Sequence, residues 1–420
     1  MKNLHVINIL RNADFRNLWL SQLISQTFLN VLIFSQLLRV YELTRSNIAV
    51  AILVLTIGIP NLFFGALAGV LVDRWDKKVV MFFAQFIRVF AIIAFIISSE
   101  SVAWIYTLMF IISCVTQFWA PAEVSTIPQI IKGPKLLTAN SVFTLTFFTT
   151  VIIGNILAGP ILANLGAHNT YYVISAAFLL ATAFVIRLPG PSLKELIYSW
   201  TTQLNKSDFE RLFNRQLLNE IRQEFRVGID FIKNNKKIAR AIFFLGASQT
   251  LIASLSAIAP GFADKIIGIK TTDTSLLVML PAALGMVLGA LVVGQFFIKA
   301  NRQLLIGTGI LVCAFSLLIF SQVSLIAKYI LISKVILSFV ILLGLGVGNA
   351  FLDIPANTIL QENTTEKIRS RIYGVLTAFV GAASVLPIIL AGVLSDIVGV
   401  DRVVFGLGLL VLAFALYNRD

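Results

Sequence analysis

Charged residues are scarce in this sequence. Asp, Glu, Lys and Arg make up 13% of the 420 residues and hydrophobic residues 58%, whereas soluble domains average about 25% charged and about 45–50% apolar residues. A water-soluble globular protein is therefore excluded. The apolar residues fall in runs of about 20, the length that a helix needs to cross a bilayer. The sequence predicts a helical membrane protein with many spans.

Cysteine and histidine are also scarce, with two of each. Cys114 and Cys313 both lie in apolar runs, which argues against a disulfide framework and a CxxC metal site. The sequence has no GxxxxGK[ST] phosphate loop, no HExxH motif and no acid pair within its apolar runs. We therefore expect no enzyme activity, no nucleotide hydrolysis, and no bound cofactor or metal.

Acidic residues are outnumbered, with 20 Asp and Glu against 33 Lys and Arg, a formal net charge of +13. No aromatic-interleaved basic domain is present, which argues against nucleic acid as a partner. Most basic residues lie at the termini and in the even-numbered loops between apolar runs. This bias predicts a multi-pass protein of the cell membrane with both termini and the 188–239 segment in the cytoplasm.

The apolar runs form two groups of six. Backbone groups must pair within their own segment in hydrocarbon, so we expect an all-α membrane protein with twelve transmembrane helices. The predicted domains are a six-helix bundle over 1–187, a cytoplasmic linker over 188–239 with an amphipathic surface helix near 209–233, and a second bundle over 240–420. The predicted spans are 17–38, 47–72, 79–98, 102–121, 139–165, 169–187, 240–262, 274–298, 303–323, 329–352, 372–395 and 401–418.

Short sequence matches relate the two groups. Each match joins equivalent spans, which indicates two parallel six-helix pseudo-repeats, a transporter design that binds substrate between the halves at mid-membrane. The matches pair Ile156–Gly159 with Ile389–Gly392, Gly65–Leu67 with Gly289–Leu291, and Pro121–Ala122 with Pro355–Ala356. Small residues let helices approach closely; the glycines expected to do so are Gly65, Gly154, Gly159, Gly289 and Gly392.

The loop between spans 2 and 3 carries the most specific motif, Gly69-Val-Leu-Val-Asp73-Arg74-Trp-Asp76-Lys77-Lys78. It resembles motif A of the major facilitator superfamily, with Asp76 where the family usually has glycine. The resemblance implies the major facilitator fold, with the motif's aspartate holding the cytoplasmic side closed against span 11. A carboxylate near helix N-termini gains about 0.3–1 kcal/mol from the helix dipole. The expected gating residues are Gly69, Asp73, Arg74, Lys77, Lys78 and, before span 11, Arg369 and Arg371.

Other segments resemble the macrolide-efflux and enterobactin-exporter-like branch of that superfamily. The resemblance implies export of drug-like or siderophore-like molecules. Span 4 carries no arginine and span 1 no acid, so the proton-relay pattern of many antiporters is incomplete. The resembling segments are Phe15–Trp19, Leu71–Arg74, Ala139–Asn140, Glu224–Ile232 and Arg369–Gly374.

The presence of three ionisable residues in or near the spans requires an explanation, because a charge at the bilayer centre costs about 2.5–3.5 kcal/mol on insertion scales. Arg88 lies deep in span 3, where it either lines a pathway and pairs with an acid there, or forms a structural pair. Asp353 ends span 10, and Glu123 follows span 4. Both acids are candidates for a coupling proton, and both could instead face cytoplasmic water.

Uncharged polar residues mark candidate cavity positions. Gln22, Gln26 and Asn30 in span 1 lie within a sector of about 80° at 3.6 residues per turn. Amides in hydrocarbon face a wet cavity or bond another helix, and in the resembled superfamily span 1 faces the central cavity. Further candidates are Ser248 and Gln249 in span 7, the repeat partner of span 1, together with Gln117 and Asn349.

The leading hypothesis is a monomeric secondary active transporter that exports amphipathic or hydrophobic small molecules by alternating access. Its coupling ion stays open, with protons as one candidate. A lysophospholipid transporter of the same superfamily is the first alternative. A membrane receptor or scaffold that transports nothing is the second.

Overall fold

The computed structural model describes residues 9–98, 100–132, 135–192, 194–195, 226–227, 229–297, 300–364 and 366–417. Side chains are described at these positions except 66, 67, 69, 70, 73, 74, 98, 137, 141, 148, 366–371, 373 and 374. The described residues are nearly all helical, as the sequence predicts. Most of the linker, including most of the predicted surface helix, lies outside the described residues.

The helices follow the apolar runs, each of which satisfies its backbone internally. Short π-helical and 3-10 turns over residues 263–279 connect α6 to α7. The described helices are α1 (Ala13–Thr44), α2 (Asn47–Arg74), α3 (Lys77–Ser98), α4 (Val102–Ile130), α5 (Lys135–Ile186), α6 (Lys236–Phe262), α7 (Leu280–Phe296), α8 (Arg302–Ser321), α9 (Val323–Ile330), α10 (Lys334–Glu362), α11 (Glu366–Ile397) and α12 (Val400–Tyr417).

Among the described residues, ten segments are long and apolar enough to cross a membrane. This number is consistent with twelve spans, for two reasons. First, α5 is broken at Gly166, whose φ of 72° and ψ of 170° are not helical, and predicted spans 5 and 6 lie on either side. Second, α12 is a further apolar helix of 18 residues. The all-α membrane fold is confirmed.

Two span ends differ from the prediction, and both differences move an acid into a helix. Span 4 was expected to end at Pro121, but α4 continues through Pro121 and Pro128. Span 10 was expected to end before Asp353, but α10 runs on to Glu362 through Pro355. Proline is tolerated in membrane helices because neighbouring groups satisfy the freed backbone carbonyls.

The described chain divides into two compact units. The first consists of Met1–Gln36 and Thr56–Gln223, and in it α3 packs against α4 and α5. Trp119 is fully buried in the core of this unit. The rings of Phe15 and Phe143 meet edge-on there, with 5.4 Å between their centroids.

The second unit consists of Leu37–Leu55 and Glu224–Asp420. In this unit α10 packs against α6, α7 and α8, and α6 also packs against α11. Glycines allow the close pairing of α7 and α10: a Cβ on Gly289 would lie 2.7 Å from that of Ala350. Helices in lipid are not driven together by the hydrophobic effect, so close van der Waals packing of this kind stabilises their association instead.

Candidate functional site

The first unit buries a cation between α3 and α4. Arg88 is 1% exposed. Its Nη1 donates to Oε1 of Gln85 at 3.0 Å, and its Nη2 donates to Oγ1 of Thr116 at 2.9 Å. The guanidinium carbon also lies 5.4 Å from the ring centroid of Trp119 and 5.9 Å from that of Phe178. These contacts stabilise a charge that would otherwise be costly to bury.

A buried acid accompanies this cation. Glu123 on α4 is 4% exposed, and its carboxylate and the Arg88 guanidinium lie within electrostatic reach of each other. No direct ion pair within 4 Å joins these two described side chains. Glu123 follows Trp119 by one helical turn, so both project from the same side of α4.

Several polar atoms of this cluster have no hydrogen-bond partner. They are Nε of Arg88, Nε2 of Gln85 and Oε1 of Glu123, while Nε1 of Trp119 lies within reach of the Glu123 carboxylate. Buried polar groups are nearly always paired in proteins, so such exceptions call for an explanation. The arrangement has spare donors and a spare acceptor around one carboxylate, which suits a group that changes its protonation or its partner.

The second unit holds a comparable cluster on α6 and α10. Nδ2 of Asn349 donates to Oγ of Ser248 at 2.8 Å, and both residues are buried. Asp353 follows Asn349 by one turn of α10 and is half-buried beside Ser248. Oδ1 of Asp353 and Oδ1 of Asn349 have no partner. Each unit thus places a carboxylate with an unpaired oxygen inside a membrane-spanning helix.

The amide stripe of span 1 is buried along most of its length. Gln22 and Gln26 are 4% and 7% exposed, and Asn30 is half-buried. Nδ2 of Asn30 donates to the Gln26 carbonyl at 2.7 Å. A Cβ on Gly154 would lie 2.6 Å from the Asn30 Cβ, so the Asn30 end of the stripe packs against α5.

The remaining cavity candidates, Gln117 and Gln249, belong to different units. Gln117 on α4 donates from Nε2 to the Ser113 carbonyl at 3.3 Å, and its Oε1 would lie 3.8 Å from a Cβ on Gly65 of α2. Gln249 is exposed, although its neighbour Ser248 is buried. That difference places the two residues on different faces of α6.

The predicted gate lies largely outside the described side chains. This holds for Gly69, Asp73, Arg74, Arg369 and Arg371, so their roles stay a prediction. The described part of the motif binds its own unit: Nζ of Lys78 donates to the Pro191 carbonyl at 2.8 Å, and Nζ of Lys77 donates to the Trp75 carbonyl at 3.0 Å.

Asp76, the departure from the motif, has a structural use. Its Oδ1 accepts from the backbone N–H of Val79 at 3.1 Å, which caps the first turn of α3.

A similar hydrogen bond lies at the start of the linker, where the Ser192 backbone N–H donates to Oε2 of Glu195 at 2.8 Å. This hydrogen bond holds the pKa of the Glu195 carboxyl below its ordinary value.

Sequence reasoning missed the partners of Arg88. Gln85 lies three residues before it on α3, while Thr116, Trp119 and Glu123 follow one face of α4 at helical spacing. That pattern was visible in the sequence, but it could not show that the two faces meet. Sequence reasoning also missed Asp264, which accepts from Nη1 of Arg45 at 3.2 Å, and Asp396, which accepts from the Asn47 backbone N–H at 2.9 Å.

Comparisons with known protein sequences all point to the same family. The sequence model of the Major Facilitator Superfamily matches residues 18–387. The uncharacterized MFS-type transporter YfiS of Bacillus subtilis (strain 168) is 26% identical over 153 residues, 36% of each chain. The lysophospholipid transporter LplT of Serratia proteamaculans (strain 568) is 26% identical over 249 residues, 58% of this chain and 54% of that one. The matches thus span about a third and about half of these relatives.

Solved structures share the fold. The crystal structure of the nucleoside transporter NupG aligns with a TM-score of 0.68 at 14% identity, covering 96% of this chain and 97% of that one. A POT family transporter in complex with 5-aminolevulinic acid aligns with a TM-score of 0.67 at 11% identity, covering 96% and 94%. At these identities the likeness shows the fold alone.

Proposed function

The chain belongs to the Major Facilitator Superfamily, and we propose that this transporter exports amphipathic or hydrophobic small molecules by alternating access, coupled to protons. Candidate substrates are drug-like, macrolide-like and siderophore-like compounds. The macrolide and enterobactin branch is proposed on the sequence motifs alone.

Two carboxylates within the spans, one buried and one half-buried, carry this proposal. Glu123 and Asp353 lie inside membrane-spanning helices, each with one oxygen that has no hydrogen-bond partner. Ionisable residues at such positions are costly and mark ion or proton pathways in transporters. One carboxyl in each unit is therefore available to take up a proton on one side and release it on the other.

The scarcity of charge in the spans supports the substrate class. Arg88 is already bonded to Gln85 and Thr116, so it is not free to bind a strongly anionic solute without losing partners. The polar groups in the spans of each unit, the amides of α1 in the first and the Ser248–Asn349 pair in the second, are uncharged. Uncharged polar groups suit a solute with a large apolar surface and a few polar groups.

A lysophospholipid is the second candidate substrate. The 26% identity to LplT over 249 residues favours it, since a lysolipid is also amphipathic. Both candidate substrate classes can be tested in one transport assay, because a single panel can contain drug-like compounds and a lysophospholipid.

The test is a transport assay in proteoliposomes with an imposed pH gradient. The panel contains a macrolide, a siderophore and a lysophospholipid, each radiolabelled. We expect flux of at least one compound to depend on the gradient and to disappear in protein-free liposomes. Flux that ignores the gradient would contradict proton coupling. No flux of any compound would favour a receptor or scaffold.

Variants of the two acids test the coupling directly. We expect Asp353→Asn and Glu123→Gln to lower gradient-driven flux at least about tenfold, a loss of about 1.4 kcal/mol or more, while substrate binding is retained. Asp401→Asn, at the start of α12, is the matched control and should behave as the parent. Full gradient-driven flux in both acid variants would rule these carboxyls out as proton carriers.

A further inference from the structure

Three side chains of the second unit bring oxygen atoms together inside the spans. Ser248 of α6 and Asn349 of α10 are 4% and 8% exposed, and Asp353 of α10 is half-buried. Asp353 follows Asn349 by one helical turn, so both side chains project from the same side of α10. We call Ser248, Asn349 and Asp353 the oxygen cluster.

The contacts inside the oxygen cluster leave acceptors open. Oγ of Ser248 lies within reach of the Asp353 carboxylate and accepts from Nδ2 of Asn349 at 2.8 Å. The amide nitrogen of Asn349 is used in this way, and its oxygen is not. Oδ1 of Asn349 and Oδ1 of Asp353 are buried, and neither has a hydrogen-bond partner among the described residues. Buried polar groups without a partner are costly, so these two oxygens require a donor or a cation.

No described basic side chain balances the Asp353 carboxylate. The titratable group within its electrostatic reach is the thiol of Cys313 on α8, which is not a cation. The helix α7, which also packs against α10, contains no Lys or Arg. The basic side chains described on α6, α8 and α9 lie near the ends of those helices: Lys236, Lys237, Arg240, Arg302 and Lys328.

Glu123 in the first unit has the opposite surroundings. The Arg88 guanidinium lies within electrostatic reach of its carboxylate, and so does the indole N–H of Trp119. A cation and an N–H donor stabilise a carboxylate, but the cation repels a metal ion. Glu123 is therefore suited to a proton alone, whereas the surroundings of Asp353 also suit a metal cation.

The ligand set indicates which class of cation fits. Carboxylate, amide and hydroxyl oxygens suit hard cations. One carboxylate balances one positive charge, and an unbalanced charge is costly to bury. Mg²⁺ gives up its water reluctantly and Ca²⁺ takes about six to eight oxygens, so a site with one carboxylate and two neutral oxygens suits neither. A small monovalent cation with oxygen ligands, Na⁺, matches both the charge and the donor atoms.

We propose that the oxygen cluster is a Na⁺ site. Its protein ligands are Oγ of Ser248, Oδ1 of Asn349 and a carboxylate oxygen of Asp353, and water completes the coordination because Asp353 is half-buried. The proposal deepens the proposed function and rests on it for the use of the ion in coupling. Asp353 holds one cation at a time, so the second unit can take up Na⁺ in place of a proton.

The first test measures Na⁺ binding to the purified full-length protein in detergent. Radiolabelled Na⁺ is added in choline chloride, and bound ion is counted by scintillation proximity. We expect saturable binding that unlabelled NaCl displaces and additional choline chloride does not. Absence of saturable binding by the folded parent would overturn the proposal.

Variants of the three ligands locate the ion. We expect Asp353→Asn to abolish saturable binding, and Ser248→Ala and Asn349→Ala each to raise the Kd for Na⁺ at least about tenfold, since each removes one oxygen ligand. An unchanged Kd in both alanine variants would overturn the site. The matched controls, which change the same residue types elsewhere in the second unit and should bind as the parent does, are Asp401→Asn on α12, Ser256→Ala on α6 and Asn363→Ala at the end of α10.

Thermal unfolding gives a readout that does not depend on the label. A ligand that binds only the folded protein raises the Tm, so NaCl should raise the Tm of the parent and of the three controls relative to equimolar choline chloride. The Tm of Asp353→Asn, which is nearly isosteric with the parent, should not respond. An equal rise in Asp353→Asn would place the ion elsewhere and overturn the proposal.

A Na⁺ gradient across proteoliposomes, with equal pH on both sides, connects the site to transport. We expect flux of a transported compound to follow this gradient in the parent and not in Asn349→Ala. Flux driven by a pH gradient in a parent that binds no Na⁺ would overturn the Na⁺ site and leave the proposed function intact. Na⁺ binding that the ligand variants abolish, without transport of any compound in the panel, would instead count against the proposed function and support the site.

Discussion

At the residue scale, the buried cation and acid of the first unit depend on each other. Arg88 and Glu123 are both almost fully buried, so bulk solvent stabilises neither charge well. Removing one partner of a buried pair leaves an uncompensated charge and costs about 3–5 kcal/mol, whereas replacing both by apolar residues is often neutral or stabilising. The two residues are therefore expected to be strongly non-additive.

We expect Arg88→Met to destabilise the protein by about 3 kcal/mol and Arg88→Met with Glu123→Met to recover most of that loss. The measurement is thermal unfolding of the purified protein in detergent. Arg187→Met, an exposed position near the end of α5, should leave the melting temperature unchanged. A double variant that is no more stable than Arg88→Met would show that the two charges do not compensate each other.

At the element scale, two glycines of α5 are needed for opposite reasons. A Cβ on Gly154 would lie 2.5 Å from the Thr27 carbonyl oxygen, so this glycine allows α5 to approach α1. Gly166 has open space around it, but its φ of 72° and ψ of 170° fall in a region that essentially only glycine adopts. The first glycine is required by packing and the second by backbone conformation.

We expect Gly154→Ala to destabilise the protein by about 1–3 kcal/mol through overpacking. Gly294→Ala on α7 is the control, since a Cβ there meets nothing, and it should be neutral or stabilise by up to about 1 kcal/mol. Thermal unfolding of both variants in the same detergent checks the prediction. Equal melting temperatures would mean that α1 and α5 can move apart freely.

We expect Gly166→Ala to cost about 1–3 kcal/mol although its side chain would have room, because the cost arises in the backbone alone. A further enlargement to Gly166→Ser should therefore add little. Progressive loss with side-chain size would point to crowding instead, and the same unfolding assay separates the two.

At the scale of the whole molecule, the two units do not follow the two halves of the sequence. Leu37–Leu55 lies in the first half of the sequence but groups with the second unit. Its hydrogen bonds join residues nearly 350 positions apart, as between Ile48 and Asp396.

We expect both chain ends and the linker to lie on the cytoplasmic side, as the positive-inside bias predicts. In the cysteine-free background, Glu195→Cys should react with an impermeant maleimide only in inside-out vesicles. Lys270→Cys, an exposed position between α6 and α7, should react only in right-side-out cells. The reverse pattern would invert the topology, and labelling of both from one side would contradict the predicted number of spans between them.

The sequence by itself determined that this protein lies in a lipid bilayer, that it is helical, and approximately where nearly every span lies. Hydrocarbon imposes these features locally, through apolar runs of fixed length and internally paired backbones. It did not determine where α4 and α10 end, because both continue through a proline, and so it placed Glu123 and Asp353 at helix ends. Only the tertiary structure brought Arg88 to Glu123, and Asp396 to the first turn of α2. Lipid-facing and helix-facing residues are equally apolar, so hydropathy does not show which helices pack together. The hydrogen bonds between helices depend on that packing, and they can therefore be identified only in the tertiary structure.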